Sequence, residues 1–177
     1  MIIKSFELNK INQKSTNYYL FYGENEGHKT ESINKIFNIE SLENIYRYEE
    51  KEVLDNSENF FNSIVSKSFI ENEKIIIISR VGDKIFHIIE EIIEKNPDDI
   101  KIILNAGLLE KKSKLRNLFE KNENTVCVPF YADNNQTLNT LVSNFFREKR
   151  ISISQQLINL LVERCRGSRQ NLKNELS

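Results

Sequence analysis

The chain has 177 residues, 39% of them hydrophobic and 29% charged, a balance that can bury a core beneath a polar surface. Its formal net charge of -1 excludes a protein that holds nucleic acid by overall charge, because such binding needs excess Lys and Arg to neutralise phosphate. Two cysteines, Cys127 and Cys165, and two histidines, His28 and His87, stand at no metal-ligand spacing, which argues against a zinc site and fits reduced cytoplasmic thiols.

The N-terminus carries no apolar segment of signal-peptide length, and the Ile run at 75–78 is too short to cross a membrane. Short apolar runs then alternate with amphipathic stretches, the pattern of an α/β domain with a mostly parallel sheet. A first strand is expected at 18–22, and a helix from about Lys29 with Ile33, Ile36 and Phe37 on one face. A weaker strand follows at 45–48. Asn56 or Ser57 then caps a helix carrying Phe60, Phe61, Ile64 and Val65. The apolar run at 74–79 reads as a strand buried on both faces. Asp83 reads as the N-cap of a helix bearing Ile85, Phe86, Ile88, Ile89, Ile92 and Ile93, with Pro97 just beyond its end. A strand at 100–105, a helix with Leu115, Leu118 and Phe119, and a strand at 125–128 complete the alternation before Pro129.

After Pro129 the pattern becomes helical only. Leu138, Leu141, Val142 and Phe145 line a first helix. Ser154 caps a second with Leu157, Ile158, Leu161 and Val162, and Gly167 ends it. A third begins near Ser168 and still runs at Ser177. The expected organisation is an α/β domain over 1–132 and a small helical domain over 133–177, cut short of further C-terminal sequence.

The turn after the first strand carries the most chemistry. Gly23-Glu24-Asn25-Glu26-Gly27-His28-Lys29-Thr30 nearly matches the phosphate-binding pattern G-x-x-x-x-G-K-[ST]. Lys29 and Thr30 fall in place, but His28 replaces the second glycine, whose missing side chain lets backbone curl around phosphate. The Ile strand runs on into Ser79-Arg80-Val81-Gly82, with no acid to hold magnesium. These two departures point to a P-loop scaffold that does not hydrolyse nucleotide, with no metal and no cofactor. Gly23 and Gly27 then serve a strand-to-helix turn; the other reading is weak residual nucleotide binding through the Gly23 loop and Lys29. A divergent P-loop ATPase or nucleotide kinase is the alternative. Lys111, Lys112, Lys114 and Arg116 form a basic cluster that is either a solvated helix face or a contact for DNA phosphate or a neighbouring subunit; Arg147, Lys149 and Arg150 read the same way. Asn105 is expected to cap the turn into Gly107.

The order of segments carries a resemblance. Tyr-Leu-Phe-Tyr-Gly-Glu-Asn-Glu-Gly at 19–27 comes first, then Ser68-Phe69-Ile70 before the Ile strand. Leu-Glu-Lys-Lys-Ser-Lys-Leu-Arg-Asn-Leu-Phe-Glu at 109–120 follows. Ile-Ser-Ile-Ser at 151–154, Leu-Leu-Val-Glu-Arg at 160–164, Gly167 and Asn-Leu-Lys-Asn-Glu-Leu at 171–176 complete the series. Together, from about residue 18 onward, they resemble the delta subunit of the bacterial DNA polymerase III clamp loader.

That resemblance implies a degenerate AAA+ module with a parallel sheet, a helical lid, and a C-terminal collar domain absent from this chain. It implies a subunit of a DNA-directed DNA polymerase holoenzyme (a nucleotidyltransferase complex) with no activity of its own. The subunit would bind and open the beta sliding clamp so that it can be placed on primed DNA, beside other clamp-loader subunits in a hetero-oligomer, in the cytoplasm and away from membranes. By this resemblance the clamp-binding pair falls on Phe69 and Ile70, in a polar connection; read from the residues alone, the pair is the last turn of the preceding helix, packed under the sheet. The family's usual pair places its aromatic residue second; here it comes first. Arg169 falls where active AAA+ lids carry a nucleotide-sensing arginine, and is read as structural or as a neighbour contact.

Overall fold

A computed structural model describes residues 1–11, 15–39, 44–65, 74–97 and 99–176. Among these, five strands form one sheet: β1 (Tyr18–Tyr22), β2 (Ile45–Glu49), β3 (Lys74–Val81), β4 (Ile100–Ala106) and β5 (Thr125–Pro129). Their order is β2-β3-β4-β1-β5, with every neighbouring pair parallel. Parallel neighbours need crossovers, and helices supply them. These are α1 (Glu26–Phe37), α2 (Glu50–Asp55), α3 (Ser57–Val65), α4 (Phe86–Lys95) and α5 (Lys114–Lys121).

The two faces of the sheet bury alternate residues of each strand, as the two-residue period of a strand requires. Tyr18, Leu20 and Tyr22 of β1 join Ile76, Ile78, Ile102 and Leu104, covered by Val53, Phe60, Ile89, Ile92, Leu115 and Phe119 from α2 to α5. Tyr19 and Phe21 face the other way with Ile75, Ile77, Ile103 and Val128, covered by Ile33 and Phe37 of α1. Each such buried side chain is worth roughly 1.5–3 kcal/mol, so this sandwiching outweighs local propensity in holding the short helices. Beyond β5, Ile3 N–H donates to Cys127 O at 3.0 Å and Cys127 N–H to Met1 O at 2.9 Å. The first residues thus pair the edge of β5, which would otherwise be left open.

Because α1 packs on one face and α5 on the other, the chain leaves the adjacent ends of β1 and β4 in opposite directions. That divergence opens a crevice at the carboxyl ends of the strands, the usual ligand position of open α/β sheets. The near-phosphate loop lies at this point.

Several elements differ from expectation. The short helix α2 has no counterpart in the sequence pattern; it has a capping box between Glu49 and Glu52 and buries only Val53, too little for an apolar periodicity. β3 runs two residues further, to Val81, through a register shift at Arg80, whose φ is 58°. Asp83 does not cap α4. It begins a 3-10 turn, Asp83–Ile85, and α4 starts at Phe86.

Residues Tyr131–Ser177 form a second compact unit, separate from the unit Met1–Phe130. Its helices are α6 (Asn135–Glu148), α7 (Gln155–Arg164) and α8 (Arg169–Leu176). Leu138, Val142, Ile158, Val162, Cys165 and Leu172 make its core. Asn134 and Thr137 cap α6 reciprocally, and Ser154 caps α7. Gly167 takes a φ of +77° between α7 and α8, the left-handed conformation that suits glycine. Two apolar assignments differ, one by a shift and one by loss. Phe146 rather than Phe145 packs against the core, and Leu157 lies 46% exposed on the outer face of α7. Arg169 donates from Nε to Asp133 Oδ2 at 2.8 Å and from a terminal nitrogen to Oδ1 at 2.6 Å. The two side chains are only 14% and 4% exposed.

Such a bidentate pair ties the start of α8 to the segment before α6. Removing one partner strands a nearly buried charge. Asp133→Ala is therefore expected to cost about 3 kcal/mol, measured by urea unfolding of the whole chain with far-ultraviolet circular dichroism. The double variant Asp133→Ala/Arg169→Ala should cost less than the sum of the two single changes.

Candidate functional site

β1 leads into Gly23, whose φ is +125°. A Cβ at Gly23 would lie 2.2 Å from the carbonyl oxygen of Phe130, so only glycine fits there. Gly23 N–H donates to Gly107 O at 2.9 Å, Phe130 N–H to Tyr22 O at 2.7 Å, and Asn25 N–H to Phe130 O at 3.3 Å. The ends of β1, β4 and β5 are thereby stitched around the loop.

The side chain of Asn25 accepts from His28 N–H at 3.1 Å. This cap starts α1 at Glu26, three residues before the expected position, and turns one of its N-terminal donors onto the chain itself. Gly27 and His28 lie in the first turn, with Thr30 exposed on the next. The His28 ring stands edge-on to Phe130, 5.0 Å between centroids. Lys29 is 0% exposed. Its Nζ donates to Glu26 Oε1 at 2.6 Å and to Ala106 O at 2.5 Å. Glu26 Oε2 accepts from Asn105 Nδ2 at 3.3 Å. Asn105 thus reaches across to Glu26 instead of capping its own turn. Glu26 carried no expectation from sequence; its only signal there was its place three residues before Lys29, where an acid and a lysine meet on a helix.

At the end of β3, Arg80 pairs with Glu49 at 3.1 Å. Gly82 N–H donates to Glu50 Oε1 at 2.7 Å. Among the described residues, no group of three His, Cys, Asp or Glu side chains could hold a metal ion. No described helix is long and apolar enough to cross a membrane. Both thiols are buried and unbonded to each other; burial pushes Cys127 up to about 12 and also raises Cys165.

The sequence matches the family model described as "DNA polymerase III, delta subunit" over residues 19–129. The chain belongs to this family. The fold of this delta-family chain is similar to that of the Bacillus subtilis DNA clamp loader delta protein (YqeN), with a TM-score of 0.70 at 15% identity, covering 97% of this chain and 56% of that one. It is also similar to the Thermotoga maritima RuvB Holliday junction branch migration motor, a AAA+ protein, with a TM-score of 0.56 at 14% identity over 97% of this chain and 57% of that one. The delta-family chain thus spans little more than half the length of these solved relatives. No curated protein sequence matches it.

Within this delta-family chain the basic cluster divides. Lys111, Lys112 and Lys114 are exposed, Lys112 beside Glu110 at 3.0 Å. Lys112, Lys114 and Lys121 line an open groove with Phe86 and Leu118 between α4 and α5. Arg116 instead turns inward. Its Nε donates to Glu120 at 2.7 Å and another guanidinium nitrogen to Leu109 O at 3.1 Å, with the guanidinium 4.9 Å from the centre of the Tyr22 ring. Arg147, Lys149 and Arg150 are exposed. Phe69 and Ile70 lie outside the described residues.

Asp83 caps a helix other than the expected one. Its Oδ1 accepts from Ser113 Oγ at 2.6 Å and Leu115 N–H at 3.0 Å, and its Oδ2 from Lys114 N–H at 3.2 Å. Partial burial alone would raise its pKa; the bonds from Ser113, Leu115 and Lys114, with the charge of Lys114, outweigh this and hold it below the ordinary carboxylate value. A carboxyl with a lowered folded pKa contributes stability above its unfolded pKa and loses it as pH falls through the folded one. Asp83→Ala should therefore cost about 1 kcal/mol near neutrality, as loss of a helix cap does. The gap from wild type should narrow in acid, below the usual carboxylate range, as read from urea midpoints across pH.

Proposed function

We propose that this chain is a non-catalytic clamp-loader subunit that binds the beta sliding clamp and helps open it for loading onto primed DNA. The family match over residues 19–129 carries this reading. The loop geometry supports a role without nucleotide chemistry, because the lysine that would meet phosphate is already neutralised by Glu26 and no acid follows the Ile strand before Asp83. Its partners are the clamp, the other clamp-loader subunits and primed DNA, in the cytoplasm. Lys111, Lys112 and Lys114 are the candidates for DNA phosphate or subunit contact, since their charges face solvent while Arg116 is committed internally.

Phe69 and Ile70 are the proposed clamp anchor. They stand between Ser66-Lys67-Ser68 and Glu71-Asn72-Glu73, immediately before β3. An apolar pair in such a polar stretch suits insertion into a partner's pocket. Burying each side chain is worth roughly 1.5–3 kcal/mol. Phe69→Ala/Ile70→Ala should then weaken clamp binding at least about tenfold, measured by titration against the purified cognate clamp. Equal binding by a folded double variant would remove the anchor from this pair. Failure of the wild-type chain to bind would reject the clamp-binding function itself.

A further inference from the structure

Lys29 poses a problem that the fold must solve. An ammonium with no exposed surface cannot rely on water for compensation, and an unpaired buried charge costs several kcal/mol. In a working phosphate loop the bound phosphate supplies the negative charge. Here Glu26 supplies it. One carboxylate oxygen takes the bond from Lys29 and the other takes the bond from the Asn105 amide at the end of β4. Two donors from opposite sides of the crevice thus converge on one anion, as they would on phosphate oxygens. The Glu26 side chain stays 64% exposed, so this position is open to solvent from the outside.

We propose that Glu26 is a resident anion, occupying the position of a nucleotide phosphate between Lys29 and Asn105 and closing the loop to phosphates in cis. The carboxylate is tethered three residues from the lysine it neutralises, and a free phosphate must compete with that high local concentration. His28 and the loop remove some of the old cradle, but the cation that would hold phosphate is intact beneath its plug. The loop therefore keeps one conformation whether or not nucleotide is present. The inference rests on the geometry around Lys29 and not on clamp binding, so a failure of either leaves the other standing.

The test uses inorganic pyrophosphate as probe on the whole chain, by isothermal titration and by thermal melts against sodium chloride of equal ionic strength. Wild type is expected to show no saturable binding at millimolar pyrophosphate. Glu26→Ala should bind pyrophosphate at least about tenfold more tightly than wild type, and pyrophosphate alone should raise its Tm. Glu26→Ala/Lys29→Met should lose both effects. If Glu26→Ala does not fold, Glu26→Gln keeps the side-chain shape without the charge and should gain binding in the same direction. Wild-type binding as tight as the variant's would overturn the proposal. So would a folded variant blind to pyrophosphate, or binding that survives loss of Lys29, which would place the anion on other lysines.

Discussion

Burial of β1 on both faces is the constraint on which the rest of the first unit depends. Tyr19, Leu20 and Phe21 have no exposed surface, and each neighbouring strand pairs in register with them. A strand sandwiched in this way cannot shift by one residue without exchanging its Tyr18, Leu20 and Tyr22 face for its Tyr19 and Phe21 face. That fixed register sets where Gly23 falls. It also brings the Gly23 backbone against the Phe130 carbonyl at the end of β5. The shape of the loop is therefore a consequence of the core.

The electrostatics of the loop follow from the same position. Lys29 sits on the first turns of α1, and the packing of Ile33 and Phe37 into the core points the start of that helix into the crevice beside β4. Once there, the ammonium can meet only what the crevice offers, which is Ala106 O and the Glu26 carboxylate. A phosphate loop that lost its ligand but kept its lysine would carry an uncompensated charge at a position with no exposed surface. An acid one helical turn earlier is the smallest change that removes the problem.

Much of this architecture was legible in the sequence because it is periodic. The Ile run of β3, the apolar strands around β1 and β4, and the cap at Ser154 each rest on local patterns that the structure keeps. Some of the features that were not legible depend on residues distant in sequence, and others on local side chains whose role the motif pattern masks. Asp83 has the right chemistry for a cap, but its partners are Ser113, Lys114 and Leu115, about thirty residues on; spacing along the chain cannot choose between two nearby helix starts. Arg116 looks like its basic neighbours in sequence, but Glu120, the Leu109 carbonyl and the Tyr22 ring draw it inward. The phosphate pattern hides the true start of α1, because Asn25 reads there as a variable loop position although its side chain acts as a helix cap. In the candidate site itself, Gly23 and Lys29 stand out as motif positions, while Glu26 is hidden among the variable ones.

The second unit repeats the electrostatic solution with different parts. Arg169 lies at the lid position that the family resemblance associates with nucleotide sensing, and the Nε edge of its guanidinium is taken by Asp133. In the first unit Lys29 is taken by Glu26. Each pair closes within its own unit, so neither unit needs an external phosphate to balance its buried cation. If Glu26 closes the loop as proposed, nucleotide adds no stability, because only a ligand that binds the folded state stabilises it. Under the proposed function this suits a subunit whose contribution is a binding surface held in one conformation. The energy for cycling between clamp states would then have to enter through neighbouring subunits, since a ligand with no differential affinity for two states cannot shift the balance between them.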